Sequence, residues 1–197
     1  MAKQILVADE KPTLFFKDKK SWVKWLDKNH AKSSGIWLRL ARKDAGIKSV
    51  TRDESLEAAL CYGWIDGQAK SEDHSHWLQK YTPRAKRSIW SKRNRELVER
   101  LIETGEMRPA GQAEIDRAKA DGRWDAAYDG PKKMEVPDDL KQALADNKDA
   151  KTFFESLNSR NRFAILFRIH TAKKAETREK RIGQFVEMLA KGEKIYP

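Results

Sequence analysis

The sequence contains only one cysteine, Cys61, which excludes an internal disulfide and fits a reducing compartment. No apolar run approaches the roughly 18 residues that a membrane span needs, and the opening MAKQILVADEK lacks the apolar core of a signal peptide. We therefore expect a cytoplasmic protein without membrane insertion. The sequence also has no P-loop, no dinucleotide fingerprint, no GxSxG motif and no zinc-finger spacing, so no cofactor is expected.

Positive charge and aromatic side chains, in contrast, are abundant. The 41 Lys and Arg residues outnumber the 30 Asp and Glu residues and give a formal net charge of +11. This excess favours polyanions as partners, although net charge speaks to association and solubility rather than to fold. Seven Trp, seven Phe and four Tyr in 197 residues supply the apolar area for one large domain or two small ones.

The first half of the chain has the patterns of a small sheet packed by helices. Residues 35–43 alternate apolar and polar side chains, which predicts a half-buried strand. Thr51 and Glu54 form a capping box, which begins a helix that ends near Gly63. The other elements predicted here are strands at 64–70 and 76–82 and helices at 21–29, 91–105 and 109–122.

The second half has helical patterns from residue 138 to a stop at Gly192. A helix that begins at Ser159 has one apolar stripe with Phe163 and Phe167 and a second stripe on its other side. A small bundle can bury one stripe, so we expect the other to dock on the first domain and the chain to unfold as one cooperative unit. Two shorter helical segments precede this helix, at 138–146 and after a cap at Asp149.

The sequence therefore predicts an α+β fold, with a small, mainly antiparallel sheet packed by helices and followed by a C-terminal helical bundle. Residues 1–122 form the predicted α+β domain, and residues 137–197 form the bundle, which we expect to be docked on the first domain. Between them, residues 123–136 mix Gly, Pro, Lys and Asp with Trp124 and Tyr128, which is typical of a connector that packs through its aromatics.

The most unusual local feature is the basic segment, defined as residues 84–95. It contains Trp90, no carboxylate and six basic residues, which are Arg84, Lys86, Arg87, Lys92, Arg93 and Arg95. The last three fall in the first turns of a predicted helix, where positive charge opposes the helix macrodipole. A feature that disfavours local stability indicates a functional site, and the partner that would relieve it is an anion. The structural alternative is a solvated basic face on a helix, with Trp90 in the core.

An anion-binding pocket is predicted where the basic segment meets the GWIDG motif at 63–67. Its ligand-binding residues are Asp66, Arg84, Arg87, Trp90, Ser91, Arg93 and Asn94. Arginine forks hold phosphate or carboxylate, and an indole ring stacks on a base or on another ring. Asp66 is also the candidate catalytic residue, because a carboxylate with apolar neighbours can act as a general acid or base. The alternatives for Asp66 are a turn that bonds to backbone amides and an ion pair with the basic segment.

Three further patterns are weaker signals of function, and each has a structural alternative. His74 and His76 would share one face of a strand beside Asp73, but no further ligand has diagnostic spacing, so no metal is expected. Cys61 would be a nucleophile only as a thiolate beside a histidine, and its apolar neighbours are typical of buried packing. The basic tail at 173–181 is typical of the solvated face of a bundle helix, with a nucleic-acid or partner surface as the alternative.

Several strings of the sequence resemble one known family. They are ALCYGWIDG (59–67), YTPRAKRSIWSKRN (81–94), MRPAG (107–111), AKADGRW (118–124) and ETREKRI (176–182). In this order they resemble the YdeI/OmpD-associated family, also called bacteriocin-protection proteins, over residues 12–192. The resemblance implies a bacterial, mostly cytoplasmic accessory protein of stress or envelope protection. It implies no agreed reaction and no catalytic residues.

Three functions fit these observations. The first is a cytoplasmic protein that binds a small anionic ligand in the predicted pocket and has little or no catalytic activity. The second is an enzyme that acts on a small anionic substrate, with Asp66 as acid or base and the arginines as an oxyanion or phosphate clamp. The third is a nucleic-acid-binding protein that uses the basic segment and the basic tail, and whose affinity would fall steeply with salt.

Overall fold

A computed structural model describes residues 11–131 and 133–197. The chain divides into two compact units. Unit 1 comprises the chain up to Trp90 together with Asn94–Ala126, and unit 2 comprises Ser91–Arg93 together with Ala127–Pro197. Unit 2 is therefore assembled from two separate stretches of the chain.

A four-stranded sheet forms the centre of unit 1. Its strands are β1 (Thr13–Phe15), β2 (Ile36–Ala41), β3 (Trp64–Ser71) and β4 (His76–Pro83), in the spatial order β1-β2-β4-β3. The β2–β4 and β3–β4 pairs are antiparallel, and β1 pairs with β2 in parallel. The fold is α+β with a mainly antiparallel sheet, which confirms the prediction. The parallel edge strand β1 was not predicted.

The alternation of β2 gives the sheet two unlike faces. Ile36, Leu38 and Leu40 are buried on one face, whereas Trp37 and Arg39 are partly exposed on the other. In β4, Gln79 and Tyr81 are buried on the same face as Leu38 and Ile36, whereas Leu78 is buried on the other face, opposite Arg39. The period-two pattern predicted the buried inner face of β2, but β4 does not follow the same strict alternation.

Helices pack around the sheet and complete unit 1. They are α1 (Lys19–Asn29), α2 (Arg52–Cys61), α3 (Lys92–Glu103) and α4 (Pro109–Ala120), of which α3 begins with two residues that belong to unit 2. The capping box of α2 is present, with reciprocal bonds between Thr51 and Glu54. Trp22 of α1 is fully buried, and its ring centroid lies 5.8 Å from that of Tyr81 in β4.

Helices α2 and α4 approach each other closely at Gly111. A Cβ atom at this position would lie 2.6 Å from the Leu60 carbonyl oxygen and closer still to that of Cys61. Only a glycine allows the α4 backbone to come this near to the end of α2. The MRPAG string therefore contributes directly to the packing of unit 1.

Unit 2 contains four helices, α5 (Asp138–Ala145), α6 (Lys148–Ser156), α7 (Ser159–His170) and α8 (Ala175–Ala190). Their buried side chains form one core, which includes Leu140, Phe154, Ile165, Ile169 and Leu189. The cap of α6 is Asn147, whose side chain accepts a hydrogen bond from Ala150 N at 3.0 Å, so the predicted cap at Asp149 was wrong. Within the described ranges, no helix combines the length and apolar character that crossing a bilayer requires.

Candidate functional site

Within unit 1, the basic segment is anchored by the contact between Arg84 and Trp90. Trp90 is 2% exposed, and its ring packs edge-on against Trp124 at 5.1 Å. The Arg84 guanidinium is also buried and lies 3.5 Å from the Trp90 ring centroid, while its Nη1 donates to the Ile89 carbonyl oxygen. The structure thus brings together two of the predicted ligand-binding residues, and it buries both.

Other arginines of unit 1 bond to the backbone of the same segment. Arg117 donates to the Ala85 carbonyl oxygen at 3.3 Å, and Arg123 donates to that of Ser88 at 2.6 Å. Arg95 donates to the Trp124 carbonyl oxygen at 2.9 Å. Backbone carbonyl oxygens therefore accept hydrogen bonds from several arginines in and around the basic segment. These bonds stabilise the loop that the segment forms.

The remaining predicted pocket residues are divided between the units. Arg87 is exposed and Asn94 is buried in unit 1. Ser91 and Arg93 belong to unit 2, where Ser91 forms a parallel β-bridge with Tyr128 and Arg93 is exposed. In unit 2, Lys92 also forms an ion pair with Asp129 at 2.7 Å, which places an acidic side chain beside the start of α3.

Asp66 lies in β3 beside a cation from α2. Its carboxylate is 3.3 Å from the Arg52 guanidinium, so this ion pair is formed outside the basic segment. Asp66 is paired across the strands with Tyr81, whose hydroxyl lies 2.8 Å from that of the buried Ser55. Burial, and to a smaller extent the charge of Asp66, raises the pKa of Tyr81. Asp66 is thus part of a polar cluster with Arg52, Tyr81 and Ser55 rather than in purely apolar surroundings.

A cluster of two carboxylates and a histidine lies at the turn between β3 and β4. Oxygen or nitrogen atoms of Glu72, Asp73 and His76 lie within 4.8 Å of one another. Arg39 of β2 pairs with both carboxylates, at 2.7 Å from Glu72 and 3.3 Å from Asp73. Because a guanidinium already supplies the balancing charge, an ion-pair network accounts for this cluster.

Cys61 is a buried packing residue rather than a nucleophile. It is 5% exposed at the end of α2. Burial, followed by the negative charge of Glu106, raises the pKa of its thiol to about 11. A thiol with this pKa is protonated at neutral pH, which is the opposite of what nucleophilic catalysis requires.

Unit 2 contains a cavity of about 650 Å³ along α7. We call it the aromatic cavity, and it is lined by Pro131, Ser159, Arg160, Phe163, Ala164, Phe167, Arg168 and Tyr196. One wall is a cluster of rings, in which Phe167 lies 5.5 Å from Phe163 and 4.9 Å from Tyr128. One of the two stripes that the sequence offered for docking, that of Phe163 and Phe167, therefore lines this cavity.

Tyr196 also lines the cavity, and a buried amide holds it in place. The side chain of Asn161 is fully buried, accepts from Tyr196 N at 2.9 Å and donates to the Tyr196 carbonyl oxygen at 3.2 Å. Both hydrogen bonds to one residue fix its backbone against α7. The cavity is thus built by specific polar contacts in addition to apolar packing.

The electrostatics of the aromatic cavity are positive. Among the described residues that line it there are two arginines and no carboxylate. The Arg160 guanidinium lies 4.2 Å from the Tyr196 ring centroid, and that of Arg168 lies 6.0 Å from it. Arg160 is in the first turn of α7, which carries no acidic residue, so its charge adds to the positive end of the helix macrodipole. The cavity can therefore accept an anion next to an apolar ring.

Sequence reasoning missed this site, although one signal for it was present. The first turn of α3 has basic residues and no acidic residue, which indicated a functional site there. The first turn of α7 has the same pattern, with Arg160 and Arg162. Tyr196, in contrast, follows the last helix and has no local pattern that places it against α7. Its position depends on the hydrogen bonds of Asn161 and could not be predicted from spacing.

The fold and the aromatic cavity define a basic α+β protein with a helical second unit and a cationic apolar site. Residues 14–114 match the family model "Domain of unknown function (DUF8412)", which covers more than half of the chain, and the protein belongs to this family. Residues 133–192 match the family model "Bacteriocin-protection, YdeI or OmpD-Associated", which confirms the suspected resemblance over this segment. No curated protein and no solved structure matches the chain significantly.

The two matches divide the chain differently from the sequence resemblance. Of the five strings that suggested the bacteriocin-protection family, only ETREKRI at 176–182 lies in the segment that its model matches. Three others lie within residues 14–114, and AKADGRW at 118–124 lies outside both segments. The second match suggests a bacteriocin-protection-like accessory protein, and it concerns the helices that form the aromatic cavity.

Proposed function

We propose that this bacteriocin-protection-like protein is a cytoplasmic binder of a small anionic ligand that also carries an apolar ring, and that the aromatic cavity of unit 2 is its site. The observation that carries the proposal is the combination of Phe163, Phe167 and Tyr196 with Arg160 and Arg168 around a single cavity of about 650 Å³. A cavity of a few hundred Å³ with apolar walls and a few charged groups is the usual form of a small-molecule site. The positive charge without a lining carboxylate favours an anion.

The contact between Arg160 and the Tyr196 ring is weak enough for a ligand to replace it. An exposed cation–π contact such as that with Tyr196 contributes about 0.5–1 kcal/mol, and Arg160 is an exposed residue. A guanidinium can hold an anion by two parallel charge-assisted hydrogen bonds, which are stronger than neutral ones, and an apolar ring packed beside the pair shields it from water. Binding of a carboxylate, sulfonate or phosphate by the guanidinium is therefore favoured over the contact it replaces. The ring of the ligand would pack on Phe163 and Phe167.

The aromatic cavity replaces the basic segment as the proposed site for this ligand. Arg84 and Trp90 are buried against each other, and Arg95 bonds to the backbone, so these groups would have to leave their contacts to meet a ligand. Arg160 and Arg168 both line the aromatic cavity, and the only one of the two with a backbone hydrogen bond among the described contacts is Arg168, whose Nη1 donates to the Ala164 carbonyl oxygen at 2.9 Å. The same chemistry that the sequence suggested, an arginine fork beside a stacking ring, is thus available at a different place.

A pair of fluorescent probes tests the proposal. 1-Anilinonaphthalene-8-sulfonate has an aromatic body and an anionic group, and N-phenyl-1-naphthylamine has the same body without the charge. We expect the sulfonate to bind more tightly, and the double variant Arg160→Gln/Arg168→Gln to weaken its binding by about 10- to 100-fold, which corresponds to a loss of about 1.4–2.8 kcal/mol of binding free energy. Fluorescence titration gives both dissociation constants.

Arg162→Gln is the control, to be compared with Arg160→Gln alone as well as with the double variant, because it removes one positive charge from α7 while its guanidinium lies over Phe154 at 4.8 Å and does not line the cavity. The control should change the affinity less than twofold, and circular dichroism would verify that each variant is folded. Equal affinity for the two probes, or equal loss in the control and the double variant, would contradict the proposal.

A further inference from the structure

The outer face of the sheet in unit 1 is a second surface with an unusual composition. We define the outer sheet face by five side chains that the strand registers place together, namely Phe15, Trp37, Arg39, Lys70 and Lys80. Trp37 is opposite Lys80, and Phe15 is opposite Arg39. Directly opposite residues of neighbouring strands project to the same side of a sheet. Two aromatic rings and three cations therefore share this face.

The aromatic rings of the outer sheet face are accessible. Phe15 is 44% exposed, and Trp37 is partly exposed. The buried aromatics of unit 1, such as Trp22 and Tyr81, lie on the other side of the sheet. Phe15 and the partly exposed Trp37 share one sheet face, and apolar side chains that adjoin on an accessible face are a candidate binding surface.

Of the three cations on the outer sheet face, only Arg39 is paired with carboxylates among the described residues. Arg39 is compensated by Glu72 and Asp73 at the β3–β4 turn. Lys70 and Lys80 pair with no carboxylate among the described residues, and their Nζ atoms lie 4.4 and 5.7 Å from the Trp37 ring centroid. Trp37 is thus flanked by two uncompensated cations, so the centre of the face is positive and aromatic.

We propose that the outer sheet face binds single-stranded nucleic acid, with a base stacked on Trp37 and the flanking phosphates on Lys70 and Lys80. A base stacked on an aromatic side chain gains more than an exposed lysine does over the same ring, and the lysine that it displaces is then available for a phosphate. Phe15 offers a second ring on the same face. This charge complementarity favours a strand whose bases are unpaired, because stacking on Trp37 needs an open base face.

Fluorescence anisotropy of a labelled oligothymidylate of about 15 nucleotides tests this surface. Trp37→Ala should weaken binding by about 5- to 140-fold, the loss expected for one stacked base, and Trp37→Phe should recover most of the affinity. The affinity K is then measured at about 50 and about 200 mM salt. The slope of log K against log salt is negative, and Lys70→Gln/Lys80→Gln should make it less steep by about 1.4, because each phosphate contact to a single strand accounts for about 0.7.

The controls separate stacking from simple charge attraction. Lys28→Gln/Lys32→Gln removes the same charge from exposed positions of unit 1 and should leave the slope unchanged. Inorganic polyphosphate, which has the charge without the bases, should compete weakly. The proposal would be overturned if the Lys70/Lys80 variant kept the wild-type slope, or if polyphosphate competed as well as the oligonucleotide, which would indicate an acidic protein or a general polyanion. The Arg160/Arg168 variant keeps full oligonucleotide binding, because this surface does not depend on the aromatic cavity.

Discussion

An arginine and a tryptophan that are close in sequence can be exposed together or buried together, and the local sequence does not distinguish the two outcomes. Arg84 and Trp90 are buried because Trp124 packs on Trp90 and because Arg117 and Arg123 bond to the loop between them. All three of these residues are distant in the chain. The positive charge of the basic segment could therefore be predicted from sequence, but its use in holding a loop could not.

We predict that Cys61 is unreactive in the folded protein. Its thiol is buried, and its pKa of about 11 lies above the ordinary value of 9.0, so the thiolate fraction at pH 8 is lower by about 100-fold than in the unfolded chain. Alkylation by iodoacetamide at pH 8, followed by mass spectrometry, should be slower by at least this factor without urea than with it. Similar rates in the two states would show that the thiol is activated.

The same pKa shift gives the pH dependence a definite sign. A thiol that is protonated more strongly in the folded state stabilises the fold fully below pH 9, and this contribution is lost as the pH rises toward about 11. Urea unfolding at pH 8 and at about pH 10.5 should therefore show a smaller loss of stability in Cys61→Ala than in the wild type.

Local signals predicted the elements of this fold where the determining residues are neighbours in sequence. The capping box of Thr51 and Glu54 begins α2 as expected, and the alternation of β2 gives it one buried face. Strand β1 has only three residues and pairs in parallel with β2, so it has neither a long alternating pattern nor a hairpin to indicate it. Its existence depends on the partner strand.

Two glycines provide a matched test of helix packing. In Gly111→Ala, the added methyl group would meet the carbonyl oxygens of Leu60 and Cys61, so we expect a loss of about 1–3 kcal/mol in the free energy of unfolding. In Gly183→Ala, nothing lies within 4 Å of the added atom, and α8 should become more stable by about 0.5–1 kcal/mol. Urea denaturation measures both. Equal effects of the same sign would contradict the close approach of α2 and α4.

At the scale of the whole molecule, the helical content and the α+β class could be predicted, but the grouping of residues 91–93 with unit 2 could not. Ser91 and Lys92 pair with Tyr128 and Asp129, which are more than 35 residues away. A bridge of one residue has no periodicity. Contacts of this kind appear only in the folded chain.

We predict that the two units unfold in one transition. Unit 2 includes Ser91–Arg93, a stretch that interrupts unit 1 in the sequence, so unfolding either unit would disturb the start of α3. All seven tryptophans belong to unit 1, whereas helices of both units contribute to circular dichroism at 222 nm. Thermal curves from tryptophan fluorescence and from circular dichroism should therefore coincide.

Truncation after Pro131 is the complementary experiment. If the units depend on each other as expected, the fragment should aggregate or melt at a lower temperature than the full chain. A soluble fragment with an unchanged melting temperature, or a clear separation of the fluorescence and circular dichroism curves, would show that the helical unit is an independent module.

The aromatic cavity is assembled from more than the segment that the chain shares with the bacteriocin-protection family. Pro131 and Tyr196 line the cavity, yet both lie outside residues 133–192, whereas Arg160 and Arg168 lie inside them. A match through residues 133–192 therefore does not include every residue that lines the cavity. Membership of a family through this segment alone does not imply the same cavity, and positions 131 and 196 are where such proteins can differ.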